Sequence, residues 1–373
     1  MRATEHHLAA LDVFRGVTIA AMILVNNPGD WDNVFPPLMH TYWTGWTFAD
    51  LVFPWFIFIM GLAMPFAFAR RHAHGHQLMQ IYRRIVTRVA LLSVIGLLLT
   101  VVATWPAVFP LRFPGVLQRI ALSYLVAAVV LLHFDVRGWA MAAAALLVGH
   151  WALLALVPFD GFPAGTLAPE HNLAHHVDAI VLGRHALYHP TDPEGLLGTL
   201  PAAATALAGA LTGHLVRTSV DAGTRLRKLV LGGVAAFVTG LILSRALPIS
   251  KPLWTGSYVL VVTGLAMMTL ALLYGVVDLR GWRTWARPFL WLGVNPLAIY
   301  CLSEVVGHLL DRPWIREDGG RTTPKAWLFW RVLEPAFRPL AGEWASLAFG
   351  VAFVGFWIGV ASVLYHRHIR IHV

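Results

Sequence analysis

Apolar residues in this chain come in long continuous runs rather than in stripes. Val86 to Trp105 and Trp254 to Val277 are the clearest, each on the order of twenty residues with very few charges. A run of that length suits a helix crossing a hydrocarbon core about 30 Å thick. The alternation over about ten residues that marks a membrane barrel strand does not occur. The pattern predicts spans at approximately 11–26, 48–69, 86–105, 115–134, 138–158, 196–216, 229–247, 254–277, 288–310 and 345–365. The expected fold class is therefore an all-α integral membrane protein, with about ten transmembrane helices in a single bundle and one domain over residues 1–373.

Polar stretches divide the runs unevenly. Alternation of ten spans puts three long segments on one face. Pro158 to Glu194 is rich in Pro, Gly and His, and Asp311 to Trp344 is polar with Trp327, Phe329 and Trp330 inserted. The third, Asn27 to Thr47, is dense in Trp, Pro and Asn. Trp and Tyr favour the membrane interface, so this segment is expected to fold back into the mouth of a cavity.

Composition agrees with the pattern. Hydrophobic residues are 58% of the chain and charged residues 13%, where a soluble protein carries roughly 25% charged residues. The formal charge of +9 invites nucleic acid as a partner, but the basic residues sit at span ends, where topology explains them. Arg70, Arg71, Arg83, Arg84, Arg88, Arg137, Arg217, Arg225, Arg227, Lys228, Arg280, Arg283, Arg287, Arg367 and Arg370 all fall on one face. The positive-inside rule makes that face cytoplasmic, with both termini inside. The 311–344 segment carries Arg and Lys on the opposite face, and such long loops obey the rule weakly. The single cysteine, Cys301, excludes an intrachain disulfide framework and a Cys-rich metal site. Met1 to Ala10 is polar and the first apolar run lacks an A-x-A exit, so the first span is expected to serve as a signal anchor.

Polar side chains at membrane depth are costly and each asks for a reason. Asp12 and Arg15 are three apart on one helix face and can pair. Gln118 and Arg119 open the fourth span. The arginine reads either as a partner for phosphate or carboxylate or as a side chain snorkelling to the interface. Asn26 ends the first span, His40 sits in the folded-back segment and Asp50 opens the second span, so all three approach one mouth. A carboxylate beside an imidazole makes a general base, and an Asn amide can hold an oxyanion. From spacing alone the same residues read equally as structural hydrogen bonders. His72, His74 and His76 read as a solvated, headgroup-facing stretch. His171, His175 and His176 with Asp178 have helical spacing for a metal but no strong signature, and no metal is expected. Glu304 and His308 read as polar lining of the outer cavity. Pro54 and Pro296 are candidate helix breaks of the kind transporters use, without internal sequence symmetry to connect them.

One stretch turns these options into a reading. Leu11 to Gly61 runs LDVFRGVTIAAMILVNNPGDWDNVFPPLMHTYWTGWTFADLVFPWFIFIMG. Later come FPGVLQRIALSY at 113–124, DPEGLLGT at 192–199, ISKPLWTGSYVL at 249–260 and FLWLGVNPLAIY at 289–300. In this order they resemble the heparan-α-glucosaminide N-acetyltransferase family and its bacterial relatives of NagX type, over almost the whole chain. The resemblance implies a transmembrane acyltransferase that moves acetyl from cytosolic acetyl-CoA, as cosubstrate, to the amine of a glucosamine-type sugar on the far side. It matches the family's functional His to His40 and its functional Asn to Asn26, with Asp50 as the candidate partner of the His. Arg15, Gln118, Arg119 and Asn295 are the candidate contacts for CoA. A bacterial inner membrane, surrounding lipid and a homodimer are the expected setting. Direct transfer and an acetyl-His40 intermediate both remain open. The competing readings are an amino-sugar permease and an O-acyltransferase of envelope glycans.

Overall fold

Helices occupy the apolar runs, because backbone groups in lipid must be satisfied within their own segment. The computed structural model describes residues 8–73, 77–187, 192–317 and 320–371. In chain order the helices are α1 (Ala9–Asn26), α2 (Phe48–Ala73), α3 (Leu78–Thr104), α4 (Val116–His133), α5 (Val136–Leu156), α6 (Leu173–Val181), α7 (Thr199–Thr218), α8 (Ala222–Leu243), α9 (Gly256–Leu273), α10 (Arg287–Val294) and α11 (Pro296–Leu310). A small hairpin of β1 (Ile315–Glu317) and β2 (Gly320–Thr322) follows, then the short helices α12 (Pro324–Leu328) and α13 (Glu334–Phe337) and the long α14 (Gly342–His366). Among the described residues nine helices are long and apolar enough to cross a membrane, and α10 with α11 supply a tenth if the pair counts as one span. The chain is an all-α integral membrane protein.

The ninth apolar run departs from a simple span. It breaks between α10 and α11, which meet at 88°. Asn295 leaves the helical region at φ −124° and ψ 51°, as a residue before proline tends to do. Its side chain donates to Ile369 O at 2.9 Å and accepts from Ile371 N at 2.8 Å, so the C-terminal segment holds the break. Pro54, the other candidate break, sits inside an uninterrupted α2. His74 and His76 lie outside the described residues, as does the side chain of His72.

Two compact units emerge from the packing. Of the described residues, the first comprises those within 8–40, 47–52 and 273–371. In it α1 packs on α10, α11 and α14. Contact with α10 is close enough that a Cβ on Gly16 would lie 1.8 Å from Phe289 O, and one on Gly293 would lie 2.2 Å from Asp12 O. The start of α1 has no cap from its own sequence. Asp278 supplies one, accepting from Ala9 N at 3.2 Å and Ala10 N at 2.9 Å, where the helix end is electropositive.

The second unit comprises residues 41–46 and 53–272. Small residues again set the packing, as they do between helices in lipid. A Cβ on Gly61 would meet Ala206 O at 1.9 Å, and Cβ atoms on Gly209 and Gly213 would meet Phe58 O and Leu62 O at 2.0 and 2.2 Å. Trp254 is fully buried at φ +52°, a left-handed conformation that a bulky residue adopts only under constraint. Its indole donates to Thr205 Oγ1 at 3.2 Å, packs edge-on against Phe53 and Tyr258, and carries the Arg119 guanidinium 4.9 Å from its ring centre.

The glycine contacts are open to a direct test. Gly209→Ala should cost about 1–3 kcal/mol through overpacking against α2 and lower the thermal midpoint in detergent. Gly355→Ala, whose Cβ would meet nothing within 4 Å, should leave the midpoint unchanged.

Candidate active site

The first turn of α2 builds the site. Thr47 precedes the helix and Asp50 is its third residue, the spacing of a capping box. Asp50 Oδ2 accepts from Thr47 N at 3.1 Å and from Thr47 Oγ1 at 3.2 Å, closing the end of the helix. Thr47 Oγ1 also lies 2.6 Å from Met39 O, which fixes the chain just before His40. The other oxygen of Asp50, Oδ1, sits 2.9 Å from His40 Nδ1. Asp50 is fully buried, whereas the His40 side chain is 48% exposed. With Nδ1–H donating to the carboxylate, Nε2 of the neutral ring is the basic nitrogen. A buried acceptor that orients a half-exposed imidazole is the arrangement of a general base.

Asn26 lies at the last turn of α1 and takes a different partner. Its Nδ2 donates to Glu304 Oε1 of α11 at 3.0 Å. The expected trio thus resolves into two pairs, His40 with Asp50 and Asn26 with Glu304. Gly307 lies beside the second pair: a Cβ there would fall 2.2 Å from the side-chain Oδ1 of Asn27, so a larger residue would push the Asn27 amide aside. Glu304 was legible as an acidic residue in an apolar run, but its partner lies 278 positions away and no local spacing points to it.

The residues expected to contact CoA are placed separately. Arg15 pairs with Asp12 at 2.9 Å on α1, and both side chains stay partly exposed. Gln118 packs its amide against Gly96 and Gly115, with Nε2 buried and unbonded. Arg119 does not snorkel: it is 2% exposed, and its Nη2 donates to Gly195 O at 2.8 Å. Asn295 spends its side-chain amide on the C-terminal segment.

Arg119 is one of several ties on the 192–199 segment. Arg112 donates to Asp192 at 2.6 and 2.8 Å and also bonds Glu194. Asp178 Oδ1 accepts from Leu196 N at 2.9 Å. The neighbouring histidines pack against rings: His175 on Trp43, His176 on Phe159 and His171 on Phe162.

A family model described as heparan-alpha-glucosaminide N-acetyltransferase, catalytic, matches residues 8–241. The chain belongs to this family. It is 30% identical to the heparan-alpha-glucosaminide N-acetyltransferases of Mus musculus and Homo sapiens, in each case over 85% of this chain and 56% of the relative. The chain therefore spans little more than half the length of those relatives. Asn26, His40 and Asp50 lie inside the part that matches the N-acetyltransferase family model, and Glu304 lies beyond it.

Asp178 offers a pH test of the 192–199 anchor. Burial raises its carboxyl from 3.8 to about 6, and Asp192 adds to this while the Leu196 N–H and Arg119 oppose it. Between those two values the folded state holds more protons than the unfolded state, so stability falls as pH rises through the window and is level above it. Asp178→Asn keeps an acceptor for Leu196 and removes the charge. Its thermal midpoint should exceed that of the wild type at pH 7, with the difference vanishing near pH 4.

Proposed function

We propose that this protein is a transmembrane N-acetyltransferase that takes acetyl from acetyl-CoA at the cytoplasmic face and passes it to the amine of a glucosamine-type sugar at the opposite face. The observation that carries the reading is the His40–Asp50 pair, a half-exposed imidazole held by a fully buried carboxylate, in a chain of the N-acetyltransferase family. His40 Nε2 takes the proton that the attacking nitrogen sheds. The nitrogen forms the new C–N bond, the C–S bond to CoA breaks, and CoA leaves as the thiol with a proton returned from His40. Asn26 donates to the acetyl oxygen as charge gathers on it. Asp50 keeps the ring in the tautomer that leaves Nε2 basic.

The remaining assignments follow from placement. Arg15, partly exposed near the N-terminal end of α1, is assigned to the anionic end of CoA at the cytoplasmic side. Arg119 and Asn295 already hold main-chain groups and Gln118 is buried between glycines, so these three are assigned to packing. Because Glu304 lies beyond the matched residues 8–241 and bonds Asn26, the whole chain is read as one catalytic domain.

The experiment is a measurement of free CoA released by purified protein given acetyl-CoA and glucosamine. Wild-type protein should release CoA, and His40→Ala should abolish release while acetyl-CoA binding persists. Asn26→Ala should cost roughly 10²–10³ in turnover, the usual loss for one oxyanion donor. Full turnover by His40→Ala would sink the assignment. Uptake of sugar into vesicles without CoA release would favour a permease.

Sidedness has its own measurement. In a Cys301→Ser background, Thr166→Cys should react with an impermeant maleimide on intact cells. Lys228→Cys should react only in inverted vesicles. The reverse pattern would overturn the orientation.

A further inference from the structure

The Asn26 amide can donate through Nδ2 in more than one orientation, and a donor to a developing oxyanion is useful only when its direction is set beforehand. The structure provides a group that sets it. Glu304 Oε1 accepts one Nδ2–H at 3.0 Å. An amide nitrogen carries two protons, so this bond fixes the plane of the amide and aims the second N–H. Both residues are part-buried, as is the bond between them.

The fold supports this arrangement from both ends. The break at Asn295–Pro296 gives α11 its direction, 88° from α10. Gly307, three residues after Glu304, leaves room beside α11 for the Asn27 amide. Asn27 is itself tied down, its Nδ2 donating to Ile23 O at 3.0 Å. Glu304 therefore meets Asn26 through two rigid helices rather than through a loop.

We infer that Glu304 is a positioning residue for acetyl transfer, which holds the Asn26 amide so that its second N–H points at the acetyl oxygen. The inference rests on the N-acetyltransferase reading of this site. It goes beyond that reading by assigning a role to a residue outside the segment that the family model matches. What the role requires of Glu304 is an acceptor oxygen at the right place, not a proton or a net charge delivered to substrate.

The test compares Glu304→Ala, Glu304→Gln, Asn26→Ala and the double variant Asn26→Ala/Glu304→Ala in CoA release, with kcat and KM separated. Glu304→Ala should lower kcat by up to roughly 10²-fold, the cost of a small misplacement, with the KM for acetyl-CoA little changed. Glu304→Gln keeps an acceptor oxygen and should restore most of kcat. The double variant should fall no further than Asn26→Ala alone, because the glutamate acts only through the asparagine. A Gln variant as poor as the Ala variant, additive losses in the double variant, or a change confined to KM would each overturn the role. Should Glu304→Ala not fold, Glu304→Met serves in its place. Failure of both to fold would assign the carboxylate to packing and overturn the inference. A wild type that releases no CoA with any amine would overturn the transferase reading itself. A normal wild type with any of the overturning results leaves that reading standing.

Discussion

Lipid solvates polar groups poorly, and a charged or amide side chain carried into a helix favours a partner from within the protein. The structure is largely a record of those partnerships. Asp278 meets the unpaired N–H groups at the start of α1. Asn295 meets a main-chain oxygen and a main-chain N–H in the C-terminal segment. Arg119 meets Gly195 O and the face of Trp254. Helices can come close because glycine stands where the backbones touch, at Gly16, Gly61, Gly209 and Gly293. The Asn26–Glu304 and His40–Asp50 pairs follow the same rule. In the second pair the imidazole is half-exposed over a fully buried carboxylate.

Hydropathy made most of the fold legible, since a run of about twenty apolar residues has few alternatives to a spanning helix. The ninth run shows where that logic stops. Average hydropathy does not register a bend, and the local sign, Pro296, was equally present at Pro54, where α2 continues unbroken. What separates the two is tertiary. At Asn295 the side chain is held by Ile369 and Ile371, a contact of long range that no local pattern announces.

The candidate site divides in the same manner. Asp50 and His40 are ten residues apart, and the local Thr47-x-x-Asp50 spacing is enough to place the carboxylate at the mouth of α2. Asn26 was legible through its family motif, but its partner was not, because α1 and α11 meet only after the chain has traversed 278 positions. Arg119 illustrates the opposite case. Its position near a helix end left open whether it reached outward or inward, and only the packing around Trp254 and Gly198 shows that it turns inward.

One carboxylate carries two duties in this arrangement. Asp50 closes the first turn of α2 through Thr47 and steers the His40 ring through its other oxygen. Helix ends are where fraying begins, and local opening costs less than global unfolding. Each time that first turn loosens, the imidazole loses its tautomeric guide while the rest of the protein remains folded. If His40 is the base proposed above, heating should silence the molecule before it melts, and the gap between the two temperatures measures how firmly a single threonine holds the end of a helix.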